Sequence, residues 1–306
     1  MRAAFFRTVM EIAEHDERIM LVTGDLGFGV VEPFAQRFPE RFVNVGVAEQ
    51  NLIGVSAGLA MCGRIVFAYS IGNFPTLRCL EQIRNDVCYH RAAVKIVAVG
   101  GGFAYGALGA THHATEDLAV MRALPEMVVV APGDPVETEH ATRAVAVHPG
   151  PCYLRLGRAG EPVVHRSAVS FRLGQALSLR DGDALTLITT GGLLETAVRV
   201  ADRLSARGVE ARVLSMHTLR PLDEEAVLAA ARETRMIVTL EEHSIIGGLG
   251  SAVADVLARR GDGRIRFFPM GIPSAFALHA GSQDYLRREY GLSPDSVLRS
   301  IEEHLQ

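Results

Sequence analysis

The chain has 306 residues, 48% of them apolar and 22% charged, which excludes a disordered, collagen-like or disulfide-scaffold protein and leaves room for two compact domains. A net charge of −4 gives no overall electrostatic reason to hold nucleic acid or an anionic membrane surface, so small-molecule chemistry is favoured. The four cysteines, Cys62, Cys79, Cys88 and Cys152, lack metal-ligand spacing and sit in apolar stretches as reduced thiols do, which points to the cytoplasm. Lys95 is the only lysine; the many arginines reflect coding bias and carry no functional reading.

In chain order, MRAAFFRTVMEIAEHDER predicts an N-terminal amphipathic helix without the apolar core of a signal peptide, and no later run reaches the roughly 20 apolar residues of a membrane span. Strands are then expected at Ile19-Val22, Arg41-Val45, Ile65-Ala68, Val94-Val99, Met127-Val130 and Cys152-Arg155, rich in Val, Ile or Phe and lacking polar alternation, as strands buried on both faces do. Crossover helices fall between them at Asn51-Met61, Thr76-Cys88 and Pro135-Val147, the last with Asp134 as N-cap. Residues 159–174 mix Gly, Pro, Ser and charge and read as a linker between a domain over 1–158 and one over 175–306. The second half repeats the alternation. Strands are expected at Ala184-Thr189, Glu210-Leu214, Met236-Leu240 and Ile265-Phe268, and helices at Leu194-Arg207, Glu224-Glu233, Gly250-Arg259 and after Ser293-Pro294. The fold class is α/β: two domains, each a mostly parallel sheet flanked by helices.

Ligands of open parallel sheets bind beyond the carboxyl ends of the strands. In the first half those positions hold Gly24-Asp25, Glu49-Gln50, Ser70 to Phe74 and the segment from Gly100 to His113, all on one face. Glu49 interrupts the apolar run VNVGVAEQNLIGVSAGLAM, where a carboxylate is desolvated; it either caps the following helix or relays a proton to a bound heterocycle. The segment GGGFAYGALGATHHATED carries five glycines and a His-His pair, so backbone can approach a ligand while imidazoles reach it, or it is a flexible surface loop. No metal ligand is assigned, because no other Cys, His or carboxylate nearby has metal-site spacing. Gly247-Gly248-Leu249-Gly250 opens a helix and is read as close packing rather than an anion site, and Gly261-Asp262-Gly263 as a turn. His217 and His243 are read as structural or interface residues.

Gly24-Asp25-Leu26, NVGVAEQN (44–51), FAYSIGNF (67–74), GATHHATEDLAVMRALPEMVVVAPGD (109–134) and YLRLGR (153–158) together resemble the thiamine diphosphate enzymes of the transketolase family. The resemblance covers essentially the whole chain and implies a pyrimidine-binding domain followed by the family's C-terminal domain, as in its split two-subunit members. It implies thiamine diphosphate as cofactor, with the diphosphate and a divalent metal, Mg2+ or Ca2+, held by an N-terminal partner subunit in an α2β2 heterotetramer. It also implies transfer of a ketol or acyl unit from a ketose or 2-oxo acid to a carbonyl acceptor. The alternatives are the β subunit of a 2-oxo-acid dehydrogenase and a 1-deoxyxylulose-phosphate-synthase-like carboligase.

By the same resemblance Glu49 bonds the aminopyrimidine ring nitrogen and promotes its imino tautomer, Phe74 stacks on that ring, and Asp25 lies near the cofactor at the subunit interface. Ile71 and Leu77 stand where related enzymes often have further aromatics, giving an aliphatic cofactor wall. His112 faces substrate oxygens and assists proton transfer, His113 replaces a glutamine beside it, and Arg158 matches a sugar-phosphate-binding arginine. Ala107-Leu108 replaces a Glu-Asp pair, and Gly100 a phosphate-binding histidine; an apolar site in place of a polar one disfavours a standard ketose phosphate as donor.

Overall fold

Strands form where the apolar runs lie. In the computed structural model, which describes residues 1–305, the first half supplies β1 (Ile19–Thr23), β2 (Phe42–Asn44), β3 (Ile65–Ile71), β4 (Val94–Val99), β5 (Val128–Val130) and β6 (Cys152–Leu156). The second half supplies β7 (Leu177–Arg180), β8 (Leu185–Thr189), β9 (Ala211–Ser215), β10 (Thr218–Arg220), β11 (Met236–Ser244) and β12 (Arg266–Ile272). The sheet orders are β10-β5-β6-β4-β3-β1-β2 and β12-β11-β8-β9-β7. All pairs are parallel except β10 with β5 and β7 with β9. The strands β1, β4, β6 and β8 are buried along their whole length, as covering helices on both faces require.

Two of these strands, β7 and β10, are additions to the expected set. Three-residue β10 belongs by sequence to the second half, yet it pairs with β5 of the first sheet. One apolar core runs on from Leu52, Ile83 and Ile96 of the first half to Ile188, Ile237 and Val253 of the second. A second core, with Phe5, Phe34, Phe67 and Tyr69, seats the N-terminal helix Arg2–His15 on the other face of the first sheet.

Local chemistry sets the helix boundaries. Asp134 caps Pro135–Val147 by accepting from Glu137 N at 2.8 Å, with Pro135 at the first turn, where its missing N–H costs nothing. The helix expected over 76–88 is shorter and split: an α turn Leu80–Gln82 runs into a π-helical segment, Ile83–Cys88. Upstream, Thr76 turns its hydroxyl onto Gly72 O at 3.0 Å, so residues 72–79 form a turn that reaches over the sheet edge. The short helices Glu32–Arg37, Asp117–Ala123 and Gln283–Glu289 add to the expected set.

Candidate active site

Strand β1 has β2 on one flank and β3 on the other, so the connections after β1 and β2 leave in opposite directions and open a crevice at the carboxyl edge. The loops that leave β1, β2, β3 and β4 carry Asp25, Glu49, Phe74 and His112 respectively to that edge.

Glu49 opens helix Glu49–Met61, with Ala48 at the N-cap, and is only 2% exposed. Its position in the first turn favours a negative charge, and it is not alone: Arg78 Nη1 donates to Glu49 Oε2. The same guanidinium lies 5.0 Å from the centroid of Phe74, and the Phe74 ring meets His112 edge-on at 5.2 Å. Carboxylate, arginine, phenyl ring and imidazole therefore form one contiguous cluster drawn from three loops. Beneath it, burial and the nearby Glu49 charge push the Cys79 thiol up to about 12, so it stays protonated and is no nucleophile.

A cleft of about 580 Å³ adjoins this cluster. Phe74, Leu77 and His113 line it, as do Asn73, Arg78 and Phe103; Ile272 and Phe276 close it from the second half. His112 reaches it through Phe74. Asp25, Ile71, Leu108 and Arg158 are not brought to it. Asp25, exposed and at φ +57°, exchanges hydrogen bonds with Asn44: its backbone N–H donates to Oδ1 at 2.9 Å, and Asn44 Nδ2 donates back at 3.0 Å. Ile71 packs on the second apolar core, Leu108 is exposed, and Arg158 stacks over Tyr105 at 5.2 Å. Arg78 and Phe276 escaped the sequence reading, and Asn73 entered it only as part of the span Ser70 to Phe74, without a role. Only Asn73, inside the FAYSIGNF run, carried a signal there.

The residues marked in the second half are held by internal contacts. Leu249 N and Gly250 N both donate to the Glu241 carboxylate at 2.7 Å, so the helix amides are taken by an internal anion. A Cβ on Gly248 would lie 1.9 Å from Glu241 Oε2, so glycine there also serves packing. Gly261-Asp262-Gly263 is a turn in which Asp262 Oδ1 accepts from Arg264 N at 3.1 Å. His217, stacked on Phe171 at 3.9 Å, and His243, accepting from Ala119 N, are fully buried.

Residues 1–161 match the family described as transketolase, pyrimidine binding domain, and residues 174–297 the transketolase C-terminal domain. The chain belongs to the transketolase family. It is 40% identical to a putative transketolase C-terminal section of Methanocaldococcus jannaschii, over all of this chain and 96% of that protein. It is 39% identical to one subunit of an apulose-4-phosphate transketolase of Phocaeicola vulgatus, over all of this chain and 97% of that one. A solved split-gene transketolase, described as an inactive β4 tetramer, superposes with a TM-score of 0.91 at 39% identity, covering 99% of this chain and 97% of that one. This member of the transketolase family thus corresponds end to end to the C-terminal section of split relatives, and the family is thiamine-dependent.

The cleft fits the aminopyrimidine side of such a cofactor. Its wall offers the aromatic face of Phe74; Arg78 on that wall links it to the buried Glu49 carboxylate, which does not itself line the cleft; and Asn73 Oδ1 and His113 Nδ1 are buried there without hydrogen-bond partners. Among the described residues no group of three or more His, Cys, Asp or Glu stands ready to hold a metal ion, and no helix is long and apolar enough to cross a membrane.

Proposed function

We propose that this chain is the C-terminal subunit of a two-component transketolase, which with an N-terminal partner transfers a ketol or acyl unit from a ketose or 2-oxo acid donor to a carbonyl acceptor. When bound, thiamine diphosphate supplies the carbanion-stabilising chemistry. Glu49 would hold the pyrimidine nitrogen and its proton, Phe74 would fix the ring, with Leu77 as aliphatic support, and His112 with His113 would face substrate oxygens. The burial of Glu49 against Arg78, whose guanidinium lies over the Phe74 ring on the cleft wall, carries this reading. Residues 159–174, which contain no helix or strand, are taken as the linker between the two domains.

The partner holds the diphosphate and the metal, Mg2+ or Ca2+, in a cytoplasmic α2β2 assembly. In support, each of the four loops at the sheet edge presents a large exposed apolar side chain: Phe28, Val47, Leu77 and Leu108. Such a patch suits a partner's surface, and Asp25 stands among it.

The donor is not a standard ketose phosphate. At the position where the resemblance places a phosphate-binding histidine, Gly100 has φ +94°, and a Cβ there would lie 2.2 Å from the Tyr105 ring. Tyr105 fills that space and is also the ring on which Arg158 stacks.

The test is reconstitution with the N-terminal subunit. Glu49→Gln is expected to lower ketol transfer by about 10²–10⁴-fold, the range of acid–base contributions. A variant as active as wild type refutes the assignment, and xylulose 5-phosphate used at ordinary transketolase efficiency refutes the donor reading. Acyl delivery to lipoamide in place of transfer to a carbonyl acceptor would make the chain a dehydrogenase subunit.

A further inference from the structure

The glycine-rich segment that carries His112 and His113 is tied down at both ends by two buried charged residues outside the cleft. At its entry, Phe103 N donates to Glu242 Oε1 at 2.7 Å. Gly102 sits so close to Glu242 that a Cβ would lie 2.6 Å from Cγ, and Gly101 so close to Arg155 that one would lie 2.6 Å from Nε. At its exit, Arg155 Nη2 donates to Ala114 O at 2.6 Å and also to Glu242 O at 3.0 Å. Gly102 and Ala114 exchange backbone hydrogen bonds, which closes residues 103–113 into a loop.

Glu242 belongs to β11 of the second sheet and is 3% exposed. Its carboxylate is held from behind by Arg287 Nε at 2.7 Å and Gln283 Nε2 at 2.9 Å. Desolvating such a charge is costly, and an apolar residue of similar size would pack the two halves together at no such cost. What an apolar residue cannot supply is a directed acceptor for Phe103 N. Phe103 lines the cleft and meets the His113 ring edge-on at 5.1 Å, so the orientation of its backbone is passed directly to the histidine segment.

We propose that Glu242 is a positioning residue for the active site: from the C-terminal half, and without touching substrate, it holds the loop that aims His112 and His113. The proposal rests on the reading of that loop as substrate-facing. It gives the C-terminal half a part in the reaction beyond its contribution to the cleft wall.

The experiment uses the complex with the N-terminal subunit and two variants: Glu242→Met, which removes the acceptor of Phe103 N, and Arg287→Met. The second releases the carboxylate from behind and leaves Phe103 and its acceptor in place. Both are expected to lower kcat, by up to about 100-fold for a reacting geometry misplaced by an ångström, while thiamine diphosphate affinity stays within about twofold of wild type. Amide exchange over residues 100–116 is expected to quicken at least about tenfold while that of β8 is unchanged. Unchanged kcat, or faster exchange in β8 as well as the loop, would overturn the proposal, because the residue would then be idle or merely hold the fold. Glu49→Gln in parallel separates the two failures: if it is fully active, the reading of the site is wrong whatever the exchange data show.

Discussion

Glu49 is buried at the start of an apolar helix, and its one charged partner, Arg78, reaches it from 29 positions away. Arg78 is itself half exposed, so water screens its side of the pair. Replacing it by Met removes the partner and leaves a desolvated carboxylate. The expected cost is about 1–3 kcal/mol, below the 3–5 typical of a fully buried pair. Combining Arg78→Met with Glu49→Gln is expected to recover part of that loss, since no charge is then stranded, and urea unfolding of the four proteins measures it. Equal costs in the single and the double variant would show that the pair is not coupled. Glu49 could be read from its neighbours because a carboxylate in an apolar run is anomalous. Arg78 could not: in TLRCLEQ an arginine reads as the solvated face of a helix, and only the turn over residues 72–79 brings it to the carboxylate.

At the scale of elements, long apolar runs were legible and short, context-made pieces were not. The six first-half strands stand within a few residues of their expected bounds, because burial on both faces leaves a pattern that needs no neighbour to interpret it. By contrast β10 exists only because β5 offers it an edge, and the break before Leu80 depends on a hydroxyl competing for a backbone carbonyl. The glycines of residues 100–109 announced close backbone approach but not what would approach; Glu242 lies 139 positions from Phe103. Two glycine substitutions test this view of the elements. Gly102→Ala forces a side chain into φ +64° and against Glu242, and is expected to destabilise by about 1–3 kcal/mol. Gly54→Ala, in the interior of helix Glu49–Met61 with open space around its Cβ, is expected to stabilise the isolated chain by about 0.5–1 kcal/mol. Thermal melts decide both, and a stabilising Gly102→Ala would show that the loop is not held as described.

For the whole molecule, the buried histidines set how stability responds to acid. Burial lowers His217, beside Glu137, and His243, beside Asp117, to about 4 from 6.5. The unfolded chain therefore binds protons that the native chain refuses as pH falls below 6.5. Stability drains away between about pH 6.5 and 4, by about 3 kcal/mol for each histidine at the full shift. Glu241 works in the opposite direction: burial raises it to about 7, so its contribution is present at low pH and is lost as pH rises from 4.5 towards 7. Between pH 6.5 and 4.5 the two histidines and Glu241 therefore act on stability in opposite directions. The contribution of each histidine can be isolated by substitution: His217→Gln and His243→Gln should each flatten the fall of the urea midpoint between pH 6.5 and 4.5 while lowering it at pH 7, where the neutral imidazole packs best. Midpoints that fall in parallel with wild type would assign the acid sensitivity to other groups. Glu137, held below the ordinary carboxylate range by His165 despite its burial, would then be the next candidate.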